Sequence, residues 1–365
     1  DPYFVGNHTL LGPTTNPPST TNDGGVSHIT VVVKSPPAVD MDVTVAGDWR
    51  VNGWPLATGV TQYGAMPTYG SLLHDGRRQV VVARDSLVLA FTTNGEPYYT
   101  TDQDSVLFAL PSRVVGAALF ADSLFHRNPA AAHGAAIVAT GEDGDVYAYR
   151  AAPRDSGASI PLFGWPAVLD TASSAVRATT APVLDPGGLV LVGTNDGRVL
   201  VIVPSDSVSV RPRVVELAGV FTAGGVPIIS PVSGNIAVGR FTGAGGYQVA
   251  YALRNGIIRV TDRLGRDPGR QDRAWSVPNA NFQPYLLGVD MDREADRDLE
   301  LVVADAAAGR IHCFRLDGSE LPGWPVTVAG TLAGPLAAGD LDGAGYPEIF
   351  AQDREGRLHR WNRNG

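Results

Sequence analysis

Residues 189–203 read LVLVGTNDGRVLVIV: two runs of β-branched and aliphatic residues on either side of Asp196-Gly197. Asp-Gly tolerates the positive φ of a tight turn, so the stretch reads as a β-hairpin. The same pattern recurs as QVVVARDSLVLAF (79–91), AAIVATGEDGDVYAY (135–149), QVAYALRNGIIRV (248–260), LELVVADAAAGRIHCF (299–314) and EIFAQDREGRLHRW (348–361). Six hairpins at a period of about 50 residues describe a chain of repeated four-stranded units.

A second marker sets the phase of the repeat. Gly-Trp-Pro stands at Gly53-Trp54-Pro55, Gly164-Trp165-Pro166 and Gly323-Trp324-Pro325. Its spacings are multiples of the same period. Each hairpin then supplies the middle pair of a four-stranded antiparallel blade. The stretch before it, such as Gly334 to Gly345, is the inner strand, and the Gly-Trp-Pro segment after it is the outer one. The last unit stops at Gly365 before any Gly-Trp-Pro, whereas the first Gly-Trp-Pro precedes the first hairpin. Residues 51–59 are therefore expected to complete the last blade and close the ring with an N-terminal strand. This gives an all-β, six-bladed β-propeller over 37–365, preceded by an irregular tail or linker over 1–36. The alternative is seven blades: HITVVVK (28–34) and DVTVA (42–46) also read as strands, and with 51–59 they make most of a further blade of a truncated ring.

Composition agrees with many short strands joined by turns. The 365 residues include 43 Gly and 27 Pro, spread along the chain, with 44% apolar and 18% charged residues. Disordered, coiled-coil and collagen-like chains do not combine these values. Cys313 is the single cysteine, so neither an intrachain disulfide nor a Cys-based zinc cluster can form. A formal net charge of -9 speaks against nucleic acid as a partner. The uncharged stretch Leu217–Gly239 is long enough to span a bilayer, but Pro227, Pro231 and Gly224-Gly225 divide it into strands and turns, and no membrane span is expected. The chain opens at Asp1 without a basic-then-apolar leader, as in either a mature secreted form or a piece of something longer.

Chemistry concentrates in one loop. Counting from Asp290, carboxylates stand at alternate positions, Asp290, Asp292, Glu294, Asp296 and Asp298, just before the apolar strand start at Leu299. Alternate oxygens in a tight loop suit Ca²⁺, which takes six to eight oxygen ligands. So many like charges repel one another unless a cation or Arg293 and Arg297 offset them. Offset by 50 residues, Asp340, Asp342 and Glu348 hold the first, third and ninth positions, while Ala344 offers no side-chain ligand, so a weaker second site is expected there. The 240–248 loop begins on Arg240, and no metal is expected in it.

GDLDGAGYPEI (339–349), the acidic loop from Asp290 to Asp298 and the Gly-Trp-Pro strands resemble FG-GAP/VCBS-type repeats. The resemblance covers about residues 50–365 and is clearest after residue 280. It implies a propeller of integrin-α type, Ca²⁺ in loops between the first and second strands of some blades, and a secreted or cell-surface interaction module, often within a larger polypeptide.

No nucleophile elbow, HExxH, P-loop or dinucleotide fingerprint is present. His312 and His359 lie at equivalent positions three residues after a turn glycine; packing on the third strands of adjacent blades explains them better than a ligand pair. The Trp residues at 54, 165 and 324 are expected to cover blade edges rather than to stack on sugars. The function expected is that of a non-catalytic, calcium-stabilised module binding a protein or glycan. The alternative is a lectin or a polysaccharide-acting lyase or hydrolase with its site on the propeller face.

Overall fold

The computed structural model describes residues 9–11, 15, 29–36, 40–47, 67–73, 75–100, 105–121, 135–155, 159–170, 173, 175–204, 210–223, 225–241, 246–262, 273–277, 282–293, 298–305, 308–332 and 335–365. The chain divides into two compact units, Asp1–Leu56 and Ala57–Gly365. In the first unit, β1 (Leu10–Leu11), β2 (Ile29–Val33) and β3 (Val43–Gly47) form one antiparallel sheet in that order. The strands expected at 28–34 and 42–46 are thus paired with each other, with β1 on their far side. Regular structure begins inside the 1–36 segment, and the units divide at 56/57 rather than at 36/37.

The second unit is a β-propeller. Its first blade comprises β4 (Thr68–Gly70), β5 (Gln79–Arg84), β6 (Leu87–Thr92) and β7 (Val106–Ala109). The second comprises β8 (Leu119–Ala121), β9 (Ala136–Thr140), β10 (Val146–Arg150) and β11 (Ile160–Pro161). The third comprises β12 (Val183–Leu184), β13 (Val190–Gly193), β14 (Val199–Val203) and β15 (Arg213–Ala218), followed by a two-stranded ribbon, β16 (Thr222–Ala223) and β17 (Val226–Pro227). The fourth comprises β18 (Val232–Gly239), β19 (Gln248–Leu253), β20 (Ile257–Asp262) and β21 (Arg273–Ser276). The fifth comprises β22 (Phe282–Val289), β23 (Glu300–Asp305), β24 (Arg310–Phe314) and β25 (Val326–Thr327). The sixth sheet shows β26 (Ala337–Gly339), β27 (Glu348–Gln352) and β28 (Leu358–Trp361). Five of the six hairpins read from the sequence are the middle pair of a four-stranded sheet, and the sixth forms the last two described strands of the three-stranded sheet. The ring-closing strand expected over 51–59, with Gly53-Trp54-Pro55, lies outside the described residues.

The second strands are mostly apolar and are covered on both faces where the blades stack. β9, β13, β19 and β23 are buried at every position. Alternate residues of β23 serve different interfaces: Leu301 and Val303 pack toward the fourth blade with Ile258 and Phe314, while Val302 and Ala304 pack toward the sixth with Ile311 and Ile349. Fully burying a Val or Leu side chain stabilises by about 1.5–3 kcal/mol, and that burial is divided, among the described residues, between five clusters, one at each interface between consecutive blades. First strands of consecutive blades touch one another, and polar bridges fix their offset. Asn235 in β18 accepts a 2.6 Å bond from the Leu286 amide and donates a 2.8 Å bond to the Leu286 carbonyl in β22.

The Gly-Trp-Pro segments flank outer strands as expected. Gly323 has φ +87°, and a Cβ there would collide with the Asn364 carbonyl oxygen. Trp324 is 7% exposed in the interface between the fifth and sixth blades, its indole N–H donating to the Arg363 carbonyl at 3.2 Å. Trp165 is half-buried against the interface between the second and third blades. Both rings cover blade edges, in agreement with the packing role read from the sequence; Trp54 lies outside the described residues.

Candidate functional site

The loop from β22 to β23 and the loop from β26 to β27 occupy the same place in adjacent blades. Each gathers three carboxylates. Asp290, Asp292 and Glu300 bring one oxygen apiece to within 4.8 Å of one another, and so do Asp340, Asp342 and Glu348. Asp298 is described but stands outside the first group, and Glu294 and Asp296 lie outside the described residues.

The third member of the first group, Glu300, was missed in the sequence because a strict offset of 50 sets Asp298 opposite Glu348. The strand starts show the true equivalence: Glu300 opens β23 and Glu348 opens β27, the earlier loop being longer. A usable signal was present. Four second strands open on Gln or Glu followed directly by apolar residues: Gln79, Gln248, Glu300 and Glu348. All four side chains are buried, and each accepts a backbone amide from the turn that follows its first strand. The donors are Leu72 at 2.8 Å, Phe241 at 2.7 Å, Met291 at 2.7 Å and Leu341 at 2.8 Å. This bond closes the loop and needs only an uncharged acceptor, as Gln79 and Gln248 demonstrate. Glu takes the position in the two loops that also carry the Asp pair.

In the first group the Arg293 amide donates to Asp290 Oδ1 at 2.8 Å, with Arg293 at φ +49°. Arg315 Nη2 reaches Asp292 Oδ2 at 3.3 Å. Burial, with added repulsion from Asp292 and Asp290, pushes the Glu300 carboxyl up to about 7 against the opposing pull of the Met291 and Asp292 amides. In the second group the Gly345 amide donates to Asp340 Oδ2 at 2.8 Å and the Ala344 amide to Asp342 Oδ1 at 3.0 Å. Arg360 Nη2 lies 3.6 Å from Asp342 Oδ2 and 3.5 Å from Glu348 Oε1, so one guanidinium already balances two of the three carboxylates. Asp340 and Asp342 are exposed, whereas Asp290 and Asp292 are half-buried.

Calcium–oxygen distances of about 2.3–2.6 Å place the ligands of one ion within about 5 Å of each other, a condition both groups meet. The first is the better fit, with more of its surface withdrawn from water.

His312 and His359 each pair with a carboxylate rather than with each other. His312 Nδ1 lies 2.6 Å from Glu320 Oε1, and His359 Nε2 lies 2.9 Å from Asp353 Oδ2; each ring also stacks on the aromatic residue two positions on, Phe314 or Trp361. Both are blade-packing residues. Cys313 is buried, and burial, reinforced by Glu300 and Asp292, pushes its thiol above the usual range.

No protein-family model and no curated protein matches the sequence. The fold is similar to that of solved β-propellers. Two crystal structures of BBS1N in complex with ARL6DN, soaked with lead and with mercury, superpose with TM-scores of 0.51 and 0.52 at 14% identity. These matches cover 83% of this chain and 81% and 79% of those chains. The β-propeller domain of Cps50 (Swd1) from Myceliophteria thermophila matches with a TM-score of 0.49 at 12% identity, over 92% of this chain and 93% of that one. At these identities the likeness concerns architecture.

Proposed function

We propose that this chain is a non-catalytic β-propeller of FG-GAP/VCBS type that serves as a protein-binding scaffold at the cell surface or outside the cell. Ca²⁺ held by Asp290, Asp292 and Glu300 braces its loop face, and Asp340, Asp342 and Glu348 form a weaker second site. The observation that carries the reading is the choice of Glu over Gln. In the first and fourth blades, whose loops carry no Asp pair, the loop is closed by Gln; in the fifth and sixth, where the pair is present, the chain sets a third charge beside it. That choice adds repulsion unless a cation is bound. Extracellular calcium is abundant enough to fill sites of modest affinity. A protein partner is favoured over a glycan because Trp165 and Trp324 are engaged in packing rather than offered as stacking platforms.

Melting curves in calcium and in chelator test the metal. Saturation at about 100 times Kd stabilises by about 2.7 kcal/mol, and Asp290→Ala with Asp292→Ala should abolish the shift. Identical curves in calcium and chelator would sink the site. Turnover of a uronate polymer would overturn the non-catalytic reading.

A further inference from the structure

The third blade carries the longest outer strand among the described residues. β15 has six residues, against four in β7 and β21 and two in β11 and β25. Short outer strands blunt the edge of a sheet; a long one leaves a row of backbone N–H and C=O groups open to another chain. Among the described residues β15 pairs with β14 alone, so its far side offers such a row. A cleft of about 520 Å³ opens over the face of this strand pair, lined by Arg198 and by Leu200 of β14, by β15 and the residues leading into it, and by residues 168–170 from the second blade.

The charge along this cleft is uneven. Arg198 is committed to its neighbours, at 2.8 Å from Asp196, 3.1 Å from Asp170 and 3.5 Å from Glu216. Arg211 and Arg213 also line the cleft, are exposed, and make no ion pair among the described residues. The stem of Arg211 packs against Gly164, which anchors its backbone to the second blade. Arg211 and Arg213 thus offer two guanidinium groups, two residues apart and without ion-pair partners among the described residues, beside the Asp170 and Glu216 carboxylates that share Arg198. Apolar surface continues beyond them: Val168 is 50% exposed and Val215 39%.

We propose that this cleft docks an extended, acidic segment of a protein partner, which adds as a further strand to the free edge of β15 and sets carboxylates against Arg211 and Arg213. The inference rests on the protein-binding reading above and names the chemistry of the partner. Main-chain pairing supplies a sequence-tolerant part of the binding; the two guanidinium groups and the valines select acidic residues at one end of the strand and apolar residues at the other. In an extended chain, residues two apart share a face, which matches the spacing of Arg211 and Arg213.

The probe is a labelled peptide of alternating valine and threonine ending in aspartate–threonine–aspartate, titrated into the full chain by fluorescence anisotropy. Saturable binding is expected, about tenfold weaker or worse for the asparagine version and for the Arg211→Glu/Arg213→Glu variant, and weakened by added salt. A version N-methylated at alternate amides, unable to pair with an edge, should also lose binding. Because both guanidinium groups are exposed and glutamate keeps the Cβ and Cγ that meet Gly164, the variant should keep the parent melting curve. No binding, equal binding of the asparagine peptide or unchanged binding to the charge-reversed variant would each overturn the proposal. A partner whose capture survives the Arg211→Glu/Arg213→Glu change but not Asp290→Ala/Asp292→Ala would overturn this cleft while leaving the scaffold reading intact.

Discussion

Glu300 accepts a 2.7 Å hydrogen bond from the Met291 amide, and through that bond the first residue of β23 closes the loop that leads into it. The same bond is made by Gln248 to Phe241 and by Gln79 to Leu72 without any charge. Closing the loop and holding a cation are therefore separable demands on one side chain.

Glu300→Gln should separate them. The amide oxygen replaces the carboxylate as acceptor, so the variant should fold and, in chelator, melt at or above the parent temperature. Its calcium-dependent shift should disappear. A variant that still gains stability from calcium to the parent's extent would show that Glu300 is no ligand.

The pH dependence of the chelated protein follows from the same group. The folded state holds the Glu300 proton up to about pH 7, whereas an unfolded glutamate releases it near 4.3. The folded state therefore binds more protons between these values, and the contribution of Glu300 is full below about pH 4 and lost as pH rises to about 7, by at most about 4 kcal/mol. Melting temperature in chelator should fall across this window more steeply for the parent than for Glu300→Gln. Calcium should remove the difference by favouring the ionised form. Equal slopes in chelator would contradict the assignment.

Asn235→Ala removes both bonds to the Leu286 backbone between the fourth and fifth blades. With two backbone groups deprived of partners at a tight interface, a loss of about 2–4 kcal/mol is expected. Chemical denaturation measures it. A midpoint shift corresponding to less than about 0.5 kcal/mol would show that water takes over both bonds.

Gly323→Ala meets two obstacles, a positive φ and the Asn364 carbonyl. The expected cost is roughly 2–3 kcal/mol, with Trp324 losing its buried environment as seen by fluorescence. Gly343→Ala, at φ +71° but with open space around the new methyl group, separates backbone strain from collision and should cost less. Equal losses for the two variants would assign the effect to φ alone.

Much of this molecule is legible in its sequence because the information is local. A hairpin such as 189–203 is specified by its own β-branched runs and its Asp196-Gly197 turn, and six of them at intervals of 49 to 59 residues already imply stacked blades. The burial of Trp165 and Trp324 followed from their place beside Pro at the outer edge. The candidate metal group was only half legible. Asp290 and Asp292 were found from their spacing, but Glu300 was not, because the longer loop before β23 breaks the numerical register that linked it to Glu348.

The sequence by itself determined which residues become strands, where the turns fall and which loops concentrate acid. The tertiary structure decided which side chains share a site. Asp290, Asp292 and Glu300 meet because β22 and β23 pair in one register, and Arg211 comes to line a cleft because a neighbouring blade packs its Gly164 against it. Strand and turn preferences act within a few residues, whereas the meeting of carboxylates or of a cleft's two walls depends on loop lengths and on the packing of one blade against the next, which no local pattern encodes.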